Sequence, residues 1–206
     1  MSSVKIDNAS EGNSAALSFR CATVMDIARV VTLVALAYSY RGEASRRIWT
    51  NEADLLDGRR TDHESMRALI ESSQSLIVLA ERAGQVIACA HIRQRGELCF
   101  IAMVSVCPEL QGAGVGGAVV SECERFARAS WGCRAMELTV IRQRDDLIAW
   151  YERRGYRRTG ETRPFPYGDE RFRPRRRDLE FVVLQKPLRA AEMAEVMAGH
   201  SEAISC

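Results

Sequence analysis

The run from Val104 to Gly117 constrains this chain more than any other stretch. It begins as an apolar strand, meets Pro108, and turns through glycines at 112, 114, 116 and 117. A helix follows from about Gly114. A strand-to-helix turn of this kind leaves several backbone N–H groups unpaired and aims them at one point. Those donors, with the positive end of the helix dipole, form an anion site. Glycines let a phosphate approach the backbone with no Cβ in the way. An ordinary tight connection is the poorer explanation, because so many glycines cost chain entropy and start a helix badly.

Three phosphate-cradling patterns compete for the turn. Gly112, Gly114 and Gly117 spell the dinucleotide spacing G-x-G-x-x-G, a weak signal by itself. A P-loop needs Lys and then Ser or Thr after its last glycine, and Ala118 and Val119 stand there. The third pattern, Gln/Arg-x-x-Gly-x-Gly/Ala, is met by Gln111, Gly114 and Gly116. A second block, Leu147 to Tyr156, carries Tyr151, Glu152 and Gly155 ahead of Tyr156. In order and separation the two blocks resemble the pyrophosphate and thiol motifs of the GCN5-related N-acetyltransferase (GNAT) superfamily.

The periodicity supports that comparison. Strands are predicted over 17–21, 75–81, 85–93, 97–106, 135–140, 156–163 and 179–184. Helices are predicted over 26–40, 62–71, 114–131 and 145–154, with Asp62 a helix cap and Gly155 a helix stop. The order β-α-α-β-β-β-α-β-α-β-β is that of the superfamily. It implies an α/β (α+β) fold, a mixed and partly antiparallel central sheet flanked by helices. Three strands before the glycine turn argue against the dinucleotide reading, which wants the turn after the first strand of a βαβ unit. Residues 1–16 read as a flexible tail, 17–188 as the acyl-CoA-binding domain, and 189–206 as an extension with a short helix.

Composition narrows the setting. A chain of 206 residues, 47% apolar and 27% charged, suits one globular domain. No apolar run approaches the roughly 20 residues that span a bilayer, and the polar start shows no signal-peptide pattern. The seven cysteines are scattered through apolar segments without CxxC spacing, which suits a reducing compartment, and the cytoplasm is the expected location. Neither they nor the three isolated histidines suggest a metal site. Lys5 and Lys186 are the only lysines, so arginine carries nearly all the positive charge, crowded between residues 153 and 177. Those arginines could hold CoA phosphates or an acidic partner. The plainer expectation is a charged edge paired with Asp169, Glu170 and Asp178.

The resemblance implies a donor, acetyl-CoA, and a mechanism. Backbone groups at Val104, Ser105 and Val106 would hold pantetheine like an added strand. The turn Gln111, Gly112, Ala113, Gly114, Val115, Gly116 and Gly117 would take the pyrophosphate. Tyr151 matches the motif tyrosine and becomes the general acid for the departing thiol. Ile141 and Arg142 stand where relatives often have an asparagine, so Arg142 or Arg144 becomes the substitute CoA contact. Candidate bases are Glu52 and Glu97, beside a water relay; strand alternation puts Glu97 on the wrong face unless a bulge intervenes. Glu109 reads as exposed.

The acceptor is less constrained. Tyr38, Tyr40, Arg41, Trp49, Glu52 and Arg60 cluster where relatives build one acceptor wall, and Tyr167, Asp169 and Glu170 suggest another. Arginine and aromatics would suit a carboxylate or flat ring, and acids a cationic amine. The expected reaction is acetyl transfer to the primary amine of a small molecule in a ternary complex. A charged-tRNA donor and a non-catalytic acyl-CoA-binding module are the alternatives, and a homodimer stays open.

Overall fold

The computed structural model describes residues 16–39, 54–57, 60–169 and 172–188. Seven strands form one sheet in the order β1-β2-β3-β4-β5-β7-β6. They are β1 (Ser18–Cys21), β2 (Ser75–Arg82), β3 (Gln85–Arg95), β4 (Leu98–Val106), β5 (Ala135–Ile141), β6 (Arg157–Pro164) and β7 (Glu180–Pro187). The helices are α1 (Ile27–Ser39), α2 (His63–Glu71), α3 (Val115–Trp131) and α4 (Asp145–Glu152). The element order is the one the sequence predicts. All neighbouring strands run antiparallel except β4 and β5.

Local chemistry sets the boundaries. Ala83 and Gly84 both take positive φ and close the β2–β3 hairpin, as a two-residue turn requires. Asp62 caps α2 by accepting from the Ser65 N–H at 2.7 Å. The expected helix from residue 26 instead opens with a 3-10 turn, Val24–Asp26. Asp26 accepts there from the Thr23 N–H at 2.9 Å and from Arg20 at 2.7 and 2.8 Å. Glycine ends α3, Gly132 being left-handed and donating to Ala127 and Arg128 carbonyls. Glu97 falls in the β3–β4 turn and β4 starts one residue later.

Two apolar layers sandwich the sheet. Val115, Val119, Cys123 and Ala127 of α3 bury against Val78, Ala88, Ile101 and Leu138. Each such valine contributes on the order of 1.5 kcal/mol. On the opposite face Val30, Val34 and Met66 of α1 and α2 cover Ile77, Leu79 and Cys89. A smaller cluster of Leu56, Ile141, Phe165 and Leu179 closes the far end.

Candidate active site

The parallel pair is the weak seam of the sheet. β4 and β5 share a ladder only over Leu98–Phe100 and Ala135–Glu137. Beyond it the strands part, while each keeps its outer neighbour: β4 stays paired to β3, and β5 to β7. The cause lies in β4. Cys89 opposes Ser105 and His91 opposes Ala102, so Ala90 faces two residues, Met103 and Val104. Met103 takes a φ of 50°, a left-handed conformation that costs a non-glycine residue energy and marks a bulge. The bulge bends β4 away from β5.

A cavity of about 220 Å³ fills the gap. Its walls include Ile101 to Val104 of β4 and Leu138 to Ile141 of β5, together with Leu147 and Tyr151 of α4. Tyr38, Arg60, Phe100, Phe172 and Phe181 line it as well. The expected β4 is buried on both faces; in fact Phe100, Ala102 and Met103 are only half-buried, because they border the gap. The facing edges of β4 and β5 therefore offer backbone groups to an extended guest.

The glycine turn lies at the end of β4. Gly112 and Gly114 have φ of 85° and 82°, and Gly114 is the cap of α3. The first helical bond comes from the Ala118 N–H to the Gly114 carbonyl, at 3.1 Å. The N–H groups of Val115, Gly116 and Gly117 precede it and have no carbonyl within the helix to meet. Gln111 braces the turn by donating from Nε2 to the Val106 carbonyl at 3.2 Å. Ser105 is buried and donates to the Met103 carbonyl at 3.1 Å, tying the bulge to itself.

Arg154 adds a positive charge at the same place. A Cβ on Gly117 would lie 3.2 Å from its Nε and Nη2. Its guanidinium sits 3.5 Å from the Trp150 ring centroid and Nη1 donates to the Trp150 carbonyl at 3.0 Å. Gly117 is small because the guanidinium rests on it. The sequence reading placed Arg154 only within a general arginine crowd. An arginine two residues after the motif glutamate, in the turn that follows α4, is the signal that could have singled it out.

Tyr151 is buried at the gap, edge-on to Trp150 and Tyr156 with centroids 4.9 and 5.4 Å away. Burial pushes its hydroxyl well above the ordinary phenol range, reinforced by Tyr38 and Cys123 and opposed by Arg154 and Arg144. The hydroxyl therefore keeps its proton at neutral pH. Arg144, also buried, is gripped by Asp146 through two bonds of 3.0 and 3.1 Å.

Several expected site residues lie elsewhere. Glu97 is exposed in its turn, 3.2 Å from Arg134, at the closed end of the β4–β5 seam. The bulge at Met103 comes too late in β4 to redirect it. Arg142 pairs with Glu180 at 2.9 Å outside the cavity lining. Tyr167 latches its own loop, accepting from the Leu179 N–H at 2.6 Å and donating to the Leu179 carbonyl at 3.3 Å. Glu109 is exposed and accepts from the Cys107 thiol at 2.9 Å. Tyr40, Arg41, Trp49, Glu52 and Glu170 lie outside the described residues. Four arginines of the arginine-rich stretch are tied to acids: Arg158 to Glu152, Arg163 to Glu137 and Glu161, Arg175 to Asp57, and Arg176 to Asp178.

Among the described residues no group of histidines, cysteines or acids could hold a metal, and no helix is long and apolar enough to cross a membrane. The fold is shared with solved acetyltransferases. One is the ribosomal-protein-S18-alanine N-acetyltransferase from Escherichia coli, with TM-score 0.61 and 14% identity over 87% of this chain and 98% of that one. Another is the PaiA N-acetyltransferase from Thermoplasma acidophilum in complex with coenzyme A, with TM-score 0.57 and 15% identity over 84% and 99%. The sequence profile of the Acetyltransferase (GNAT) family matches residues 43–156, which span the bulged strand, the glycine turn and the Tyr151 block. The chain belongs to the GNAT acetyltransferase family and is an enzyme of the N-acetyltransferase type.

Proposed function

We propose that this enzyme moves an acetyl group from acetyl-CoA directly to the primary amine of a small molecule held in the same gap. The observation that carries the reading is the parting of β4 from β5 beside the glycine turn, with Tyr151 on the cavity wall. The residues present fit the donor. The open edges at Val104 to Val106 suit the amide-bearing pantetheine arm. The turn from Gln111 to Gly117, with Arg154 above it, suits a pyrophosphate. The donor supplies an acetyl group already activated as a thioester.

The protein contributes position and two polar services. Holding amine and thioester together removes most of the entropic barrier. The nitrogen bonds to the acetyl carbon, the carbon–sulfur bond breaks, and sulfur leaves as a thiolate that takes its proton from water. Tyr151 Oη donates a hydrogen bond to that sulfur as charge builds on it. Its raised pKa means hydrogen-bond donation dominates over full proton release. No described lining residue is a carboxylate or an imidazole. The amine's proton therefore leaves through water, or through Glu52 of the sequence-predicted acceptor wall. Acid pairing of Arg158, Arg163, Arg175 and Arg176 reduces the charge that part of the stretch offers a tRNA, and a cavity containing Tyr151 suits turnover better than binding alone.

Thiol release from acetyl-CoA across an amine panel tests the reading. Tyr151→Phe should lower kcat by about 10- to 100-fold with CoA affinity unchanged. The tyrosine stays protonated until well above pH 10, so the wild-type and Phe profiles should keep the same shape from pH 7 to about 10. An unchanged rate in the Phe variant would remove Tyr151 from the reaction.

A further inference from the structure

The lining around Arg60 has a chemistry of its own. Arg60 approaches the Tyr38 ring to 4.9 Å and the Phe172 ring to 5.3 Å, measured from the guanidinium carbon. Phe172 and Phe181 pack in turn on buried Phe165, with centroids 5.5 and 5.3 Å away. A strap fixes this platform: Leu56 bridges to Pro174, and Arg175 holds Asp57 with bonds of 2.6 and 2.9 Å. The bridge and the ion pair tie the Phe172 loop to the segment before α2, and Arg60 borders the cavity against it. Burial lowers the Arg60 pKa to about 10, which leaves it charged at neutral pH.

We infer that the acceptor is an amine carrying its own carboxylate, an α-amino acid with an apolar or aromatic side chain. Its carboxylate meets the Arg60 guanidinium, and its side chain lies on Phe172 and Phe181. The inference rests on the transferase reading of the gap. A guanidinium recognises carboxylate through paired N–H donors, and it can do so while a ring covers its face. It repels a polyamine, which would need acids along the wall, and the described lining has none. The same cation favours the neutral form of the nearby α-amino group, the form that attacks. The balanced reaction replaces one amine hydrogen with acetyl and yields an N-acetyl amino acid and free CoA.

The test uses the full chain, acetyl-CoA and five acceptors: L-phenylalanine, L-leucine, L-phenylalanine amide, 2-phenylethylamine and spermidine. Calorimetric CoA binding is measured separately. The two amino acids should exceed the other three in kcat/KM by about 100-fold. Arg60→Gln should remove that preference through a rise in KM for phenylalanine, and Arg60→Lys should restore part of it, with CoA affinity intact in both. Equal or better turnover of the amide, 2-phenylethylamine or spermidine by the wild type overturns the inference and leaves acetyl transfer standing. Turnover of none of the five despite tight CoA binding overturns it too. A chain that does not bind CoA at all sinks the transferase reading as well.

Discussion

The two sides of the β4–β5 gap are built on different principles. In the proposed reading, the donor side comes from two continuous stretches, Val104–Gly117 and Leu147–Tyr156, and would work largely through main chain. The acceptor side gathers Tyr38 from α1, Arg60 from before α2, Phe100 from β4, and Phe172 and Phe181 from the loop and strand at the end of the domain. In the proposed reading it would work through side chains. A guest recognised by backbone geometry demands fixed φ angles and glycines at fixed spacing, so its site is local in sequence. A guest recognised by side chains can be met by any residues the fold brings together.

Gly114→Val should break the donor side most severely. Its φ of 82° is strained for a branched side chain although the space around it is open. The turn must shift, and one or two charge-assisted N–H bonds to phosphate are lost. CoA affinity should fall by about 100-fold, on the basis of 1.5–3 kcal/mol for each such bond. Binding calorimetry checks it, with thermal unfolding as the control for folding. An Arg60 or Phe172 substitution that weakens CoA binding as much would erase the distinction between the two sides.

This division explains what the sequence made readable. The glycine turn, Tyr151 and the element order are encoded by local pattern, and each is found where expected. Tyr38 and Arg60 were anticipated only as members of a loose cluster. Phe172 was out of reach, because its place depends on Leu56 meeting Pro174 across the chain. The sequence raises a bulge only as what Glu97 would need to reach the site, and the bulge lies at Met103. Nothing in the alternation of β4 marks Met103 as left-handed, since the cause is a register shift against β3. Alternation already argued against Glu97, and the residue itself belongs to the β3–β4 turn.

Acid should separate the two layers of the sheet. His91 is buried on β3, and its Nε2 lies 2.7 Å from Ser75 Oγ. It shares the sheet face of Cys89, against which α1 and α2 pack. Burial, aided by Arg93 and Arg95, lowers its pKa from 6.5 to about 4. Between those values the unfolded chain binds the proton and the folded chain does not, so stability declines as pH falls from 6.5 toward 4 and levels off below. The loss should be about 3 kcal/mol and should vanish in His91→Gln. Hydrogen exchange should show α1 and α2 loosening before α3. Equal loosening of α3 would mean that the two layers fail as one.

Arg154→Gln makes the smallest change and asks the sharpest question, whether the donor side is purely main chain. The guanidinium rests on Gly117 and Trp150 at the start of α3, where the helix dipole already favours an anion. Burial holds its pKa below the ordinary arginine value, with Arg153 adding to the effect and Tyr151 opposing it. A partly desolvated cation beside a pyrophosphate should be worth about 10-fold in affinity at low salt, shrinking as salt screens the pair. Pantetheine, which lacks the pyrophosphate, should bind wild type and variant alike, and Arg154→Lys should recover part of the loss. An equal loss for pantetheine would mean that Arg154 acts by propping Trp150 and the Tyr151 helix. If CoA affinity did not change, the turn would hold its anion by backbone and dipole alone.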